Sequence, residues 1–203
     1  MLRNDHSIIP HLTHHLIQFA SESQFNKEMI NTSNALHSIA ALTCYKLNIH
    51  FNYEQDQQTF EVRRSSRECL WSIHEFGDVS AQTELVNARY ARVYAISICT
   101  ANGAGEEQDG EICNGLNHIF KFIRDLHQGK YISWLPQFPP QPLLARRSVE
   151  QIEEEGANEE VDAQLIKNKE NRGNIKGQAN KVKGKILNYF INKGNLRPSW
   201  YNN

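Results

Sequence analysis

The 203-residue chain is 39% hydrophobic and 22% charged with a formal net charge of -1, which permits a packed core and gives no global field drawing it onto nucleic acid or acidic membrane. A mean hydropathy of -0.60, with no run near the ~20 apolar residues a bilayer span needs, excludes a helical membrane protein. Met1 to Ala20 interleaves histidines and polar residues with its apolar ones, unlike a secretion signal, so a cytoplasmic protein is expected.

A first short helix is predicted from Pro10 to about Ala20, with proline in the first turn, where its missing N–H costs nothing, and Leu12, Leu16 and Phe19 on one side. The next segment, about Gln24 to Lys46, has a cap or break at Asn31-Thr32-Ser33. Ala35, Leu36, Ile39, Ala40 and Leu42 then form a wide apolar stripe at helical spacing. Leu47, Ile49 and Phe51 alternate, so Leu47 to Thr59 reads as a loop or a short strand. Glu61 to Phe76 predicts a helix with Val62, Ser66, Cys69, Leu70 and Ile73 inward, ended by Gly77. Asp78 is placed to cap a longer helix to about Ala101, through Leu85, Ala88, Ala91, Val93, Ala95, Ile96 and Cys99, with Gly103 stopping it. After an acidic, turn-rich loop, Ile112, Leu116, Ile119, Phe120, Ile123 and Leu126 give the cleanest amphipathic pattern in the chain, closed by Gly129.

Residues 130–145 carry Tyr131, Trp134, Pro136, Phe138, Pro139, Pro140 and Pro142. Proline removes donors and disfavours helix at the residue before it, so this stretch predicts an extended connector and a domain boundary. Two short helices, Arg146 to Glu155 and Asn158 to about Lys169, follow with Gly156 between them. A last helix spans about Ile175 to Ile191, with Ala179, Val182, Ile186, Leu187 and Phe190 apolar. The expected fold class is all-α, either armadillo/HEAT-like stacked helices or an irregular helical bundle. Its expected organisation is a main helical domain over 1–129, the connector over 130–145, and a C-terminal helical segment over 146–203.

Three stretches share a polar or basic start, small residues in the middle and a bulky apolar finish: 31–42 (NTSNALHSIAAL), 61–73 (EVRRSSRECLWSI) and 174–187 (NIKGQANKVKGKIL). In this they resemble the inner helix of armadillo-type repeats, a family that stacks helical units of about 40 residues into a superhelix with a concave surface for partners. The resemblance covers roughly 24–128 and 146–191. It departs from the family in its spacing, 34 residues from Leu36 to Leu70 and 26 from Leu70 to Ile96. What it implies is a scaffold binding a partner peptide or helix rather than an enzyme. Asn34, Trp71 and Asn180 sit in helices of that texture and are its candidate groove residues.

Other constellations were weighed for chemistry. His11 and His15 share a helix face beside His14, yet no acidic residue accompanies them as hydrolytic zinc requires, so no metal is expected. Cys69 with His74, or Cys99 with His118, pairs a thiol and a base, but all four cysteines (Cys44, Cys69, Cys99, Cys113) lie in apolar-periodic stretches, where reduced, buried thiols are expected, their even number leaving disulfides as the alternative. Gly103-Ala104-Gly105 lacks the lysine and preceding strand of a phosphate loop and faces Glu106, Glu107 and Asp109. No cofactor and no catalytic residue are therefore expected.

Two binding signals remain. Tyr131, Trp134, Phe138 and the prolines offer a strip of large contact area for a partner protein, Trp134 being its principal residue, unless they fold back to cap the core. The C-terminal third is a charge dipole: seven acids from Glu150 to Asp162, then nine basic residues against one acid from Lys167 to Arg197. Lys176, Lys181, Lys183, Lys185 and Arg197, with Trp200 and Tyr201, form the alternative, a nucleic-acid or nucleoprotein surface. The neighbouring acids are positioned to neutralise it within the fold.

Overall fold

A computed structural model describes residues 34–99, 109–166 and 174–188. Among them the chain is all-helical, with eight α-helices and no β-strand. The helix expected at Pro10 to Ala20, the loop from Gly103, and the chain beyond residue 188 lie outside the described residues.

Helix α1 (Ala35–Leu42) buries Leu36 and Ile39, the inward edge of the predicted stripe. It stops short of Lys46. The Thr43 hydroxyl donates to the Ala40 carbonyl at 2.6 Å, and the following turns place Lys46 and Asn48 at φ 48° and 62°, a region non-glycine residues enter only at cost.

Of the segment read as loop or strand, residues 47–52 are turn and irregular backbone, whereas 53–59 instead open α2 (Tyr53–Phe76), a 24-residue helix. Asn52 is its N-cap, its side-chain oxygen accepting the Gln55 N–H at 2.9 Å, and Glu54 and Asp56 in the first turn complement the positive helix end. These local devices outweigh the alternation of Leu47, Ile49 and Phe51. Val62, Ser66, Cys69, Leu70 and Ile73 are buried as expected.

Gly77 ends α2 because there is no room for a side chain. A Cβ there would collide with both the Ile73 carbonyl oxygen and the Ala81 Cβ. Gly77→Ala is expected to cost about 1–3 kcal/mol of overpacking, read as a lowered urea midpoint with an unchanged slope; an unchanged midpoint would show that the turn relaxes freely.

Asp78 caps α3 (Val79–Asn87), accepting the Ala81 N–H at 3.1 Å. The predicted continuous helix to Ala101 breaks, however, at Ala88 and Arg89, the latter at φ 62°, and restarts as α4 (Tyr90–Cys99). Buried Leu85, Val86, Ala88, Tyr90, Ala91, Val93, Tyr94, Ala95 and Ile98 occupy more than one helical stripe. A change of direction lets both halves bury their apolar residues, at the cost of one left-handed arginine.

Helix α5 (Asp109–Gln128) buries Ile112, Leu116, Ile119, Ile123 and Leu126 as expected, but it is Phe122 that is fully buried while the predicted Phe120 is only half-buried. Gly129 closes it at φ 79°, its N–H returning to the Asp125 carbonyl. The connector is shorter than expected because α6 (Pro142–Glu154) takes Pro142 as its first residue, the one helical position where proline loses nothing. Gly156, at φ 67°, separates α6 from α7 (Ala157–Ile166). Helix α8 (Ile175–Asn188) is the last described.

The chain divides into two compact units, one comprising the chain to Val93 with Tyr131–Phe138, the other Tyr94–Lys130 with the chain from Pro139. The division falls within α4, whereas the sequence reading puts its boundary at 130–145. In the first unit α1 packs on α2 and α2 on α3. In the second, α5 packs on α6, α6 on α7, α7 on α8 and α8 back on α5, a closed cycle of four helices.

Candidate functional site

The connector supplies one of two strongly exposed aromatic surfaces among the described residues. Trp134 is 82% exposed and Tyr131 66%, while Phe138 in the same segment is 2% exposed. The segment therefore divides its aromatics: Phe138 folds in as core, and Tyr131 and Trp134 face solvent. The Leu135 N–H donates to the Ile132 carbonyl at 3.1 Å, a tight turn that lifts Trp134 out at its tip. Exposed apolar area on this scale costs solvation, and single large aromatics held outward are the usual anchors of protein interfaces.

The other candidate partner residues are spread more widely. Asn34 is exposed and precedes α1, its side chain making no cap bond and its carbonyl accepting the Ser38 N–H at 2.9 Å. Trp71, in the last two turns of α2, is half-buried, and its indole nitrogen is shielded from solvent, so it offers a partner only part of its ring. Asn180 is half-buried on α8 and belongs to the other compact unit. Asn34, Trp71 and Trp134 stand on three separate elements of the first unit.

A second apolar surface in that unit was not singled out by sequence: Ile49 (49% exposed), Phe51 (59%) and Tyr53 (82%). Lys46 Nζ lies 4.9 Å from the Phe51 ring centroid and 5.4 Å from that of Tyr45, and the Phe51 N–H donates to Asp56 at 3.1 Å. The legible signal was Asn52, whose capping role holds the residues just before it outside the helix.

The basic C-terminal helix is engaged in part within its own unit. Lys183 pairs with Asp162 of α7 at 2.5 Å, and Lys181 Nζ sits 5.9 Å over the Phe120 ring of α5. Lys185 is half-buried and close enough to His127 to help burial lower that imidazole's pKa. Lys176 is exposed, and Arg197 lies outside the described residues. Charge paired within the fold, as at Lys183, contributes little to phosphate binding, whereas Lys176 and Lys181 are exposed.

The Cys69 and Cys99 thiols are poorly suited to nucleophilic work. All four cysteines are free. Burial pushes the Cys69 thiol up to about 12. Cys99 is raised to about 11 by burial and then by Glu160, Glu155 and Glu159, and its thiol donates to the Glu155 carbonyl at 3.5 Å. A neutral thiol is the wrong protonation state for attack. The imagined bases are held in ring contacts, His74 with Tyr90 at 5.8 Å and His118 with Tyr94 at 5.0 Å.

His11, His14 and His15 lie outside the described residues, as does Gly103-Ala104-Gly105; among the described residues no group of three or more His, Cys, Asp or Glu is placed to hold a metal ion. No described helix is long and apolar enough to cross a membrane. No family model matches the chain, and no curated protein or solved structure matches it.

Proposed function

We propose that this chain is a protein-interaction module, a non-catalytic scaffold that takes a partner's peptide or helix on its helical framework, with Trp134 as the principal anchor. The observation that carries the reading is the division within one segment: Phe138 is withdrawn to 2% exposure while Trp134 is left at 82%. A chain that can bury one aromatic of a strip and presents the others supports a surface kept apolar for a partner. The resemblance of 61–73 and 174–187 to armadillo-type inner helices supports the same class of function, those stretches forming parts of α2 and α8. The raised Cys69 and Cys99 thiols support a non-catalytic role for those two residues, and four free cysteines support a reducing, cytoplasmic setting.

The test is affinity capture from the source extract with the full chain and its Trp134→Ala variant, followed by titration of the captured partner. Trp134→Ala is expected to weaken that partner about tenfold or more, as a buried aromatic anchor does, with the melting temperature unchanged. Equal affinity for the two proteins overturns the assignment of Trp134.

A further inference from the structure

The chain between α1 and the first turn of α2 presents an apolar patch and holds it in place. Ile49, Phe51 and Tyr53 stand 49, 59 and 82% exposed within a stretch, residues 48–54, that is exposed throughout. Lys46 and Asn48 carry φ 48° and 62°, left-handed backbone that non-glycine residues adopt only where the surroundings enforce it, a condition that collects at binding sites. Lys46 Nζ lies 4.9 Å from the centroid of the Phe51 ring, and the Asn52 cap fixes where the helix begins. A phenyl ring held this way is preorganised for contact, which lowers the ordering cost of association.

The backbone beneath the patch is already engaged. The Leu47 N–H donates to the Cys44 carbonyl and the Ile49 N–H to the Lys46 carbonyl, both at 3.2 Å, and the Phe51 N–H donates to Asp56 at 3.1 Å. Strand addition needs such donors free, so a partner meets side chains here. Charge narrows the partner further. From Lys46 to Asp56 the charged and titratable residues are Lys46, His50, Glu54 and Asp56, with His50 and Asp56 lying 3.5 Å apart. Nucleic acid and anionic lipid both require a cationic excess, which this surface lacks.

Lys46 and Glu54 bracket the three apolar residues in chain order. Among the described residues neither has an ion-pair partner, Lys46 being engaged only by the Tyr45 and Phe51 rings. A surface with a cation at one end, apolar side chains in the middle and an anion at the other complements itself. Turned over by a two-fold axis through Phe51, it sets Lys46 of each copy toward Glu54 of the other. At roughly 200 Å² per large side chain, the three exposures leave on the order of 400 Å² of apolar surface, about half of the ~800 Å² per partner of a stable complex. An area of that size supports a dimer in exchange with its monomer rather than an obligate one.

We infer that the segment from Lys46 to Glu54 is a self-association surface, in which Ile49, Phe51 and Tyr53 pack against the same residues of a second copy and Lys46 pairs with Glu54 across the two-fold axis. Trp134 has no part in this contact, so its variant serves as the control.

Sedimentation equilibrium of the full-length chain, over roughly 5–500 µM, is expected to show a monomer–dimer exchange with a dissociation constant on the order of 100 µM. Phe51→Ser and Tyr53→Ser, both at exposed positions, are each expected to weaken it about tenfold while melting as wild type does, and Trp134→Ala to leave it unchanged. Lys46→Glu and Glu54→Lys each set like charges opposite one another twice per dimer, and each is expected to self-associate about threefold or more weakly than wild type. A mixture of these two variants is expected to form mixed dimers at about wild-type strength, because each supplies the charge the other lacks; that rescue is peculiar to a contact between matching surfaces. A chain that stays monomeric throughout the range overturns the inference and leaves the patch to another protein or to another segment of this chain. Dimers indifferent to both serine variants, or lost with Trp134→Ala, overturn it, as do weakened charge variants that their mixture does not restore. If Lys46→Glu melts below wild type, the serine variants decide.

Discussion

Phe122→Ala is expected to destabilise the protein by about 3–5 kcal/mol, the usual cost of deleting a fully buried aromatic ring. Phe122 is completely buried on α5, with Leu116, Ile119, Ile123 and Leu126 of the same helix equally enclosed. Helix α5 packs on both α6 and α8, so the cavity would open on the buried face of the most amphipathic helix of the four-helix cycle. Against a total stability of roughly 5–15 kcal/mol for an ordinary domain, such a loss is a large fraction. It should appear as a fall in melting temperature of roughly 10 °C in ellipticity at 222 nm. Trp134→Ala in the same assay is expected to change stability by less than about 0.5 kcal/mol, as exposed substitutions do. The two variants separate what folds the protein from what it presents. A Phe122→Ala melt within two degrees of wild type would mean that α5 does not organise the core of its unit.

That α5 was the most legible helix has a physical reason: its apolar residues recur on one stripe and its end is marked by Gly129, so pattern and terminator agree. The same agreement made Gly77 and Asp78 readable as an end and a cap. Where two signals conflicted, pattern misled. Leu47, Ile49 and Phe51 alternate like a strand, but Asn52 caps a helix that opens with polar residues, and the apolar stripe enters only later. The break at Arg89 carries no glycine or proline; it is imposed by burying apolar residues on several sides of α3 and α4, a tertiary demand that local propensity does not record. The site was legible in composition and not in orientation. Trp134 and Phe138 are both aromatics of one proline-rich segment, and which of them faces water is set by packing that composition does not record. Likewise, the engagement of Lys183 by Asp162 spans 21 residues, and sequence offered only the opposing charge runs that made it possible.

Stability is expected to fall at alkaline pH through Cys69, and the effect should be among the largest of any single group. In the folded protein burial raises this thiol from 9.0 to about 12, so the native state holds the proton more tightly than the unfolded chain. The contribution is therefore complete below pH 9 and declines as pH climbs through the gap. Three pH units correspond to about 4 kcal/mol in all, of which roughly 3 kcal/mol would be gone by pH 11. Cys99 acts in the same direction, its thiol raised to about 11, though its partial exposure leaves it a smaller share. Tyrosines and lysines titrate over the same range, so the measurement is a difference: urea midpoints from pH 7 to 11 for wild type and for Cys69→Ala. The variant lacks the titrating group, so its midpoint should decline less steeply with pH, and parallel curves would disprove the assignment. Alkylation gives an independent reading, because at pH 8 the thiolate fraction of Cys69 is roughly a thousandfold below that of a thiol titrating at 9.0. Iodoacetamide should leave Cys69 unmodified in the native protein and label it on unfolding, whereas rapid native labelling would reopen the case for a reactive thiol.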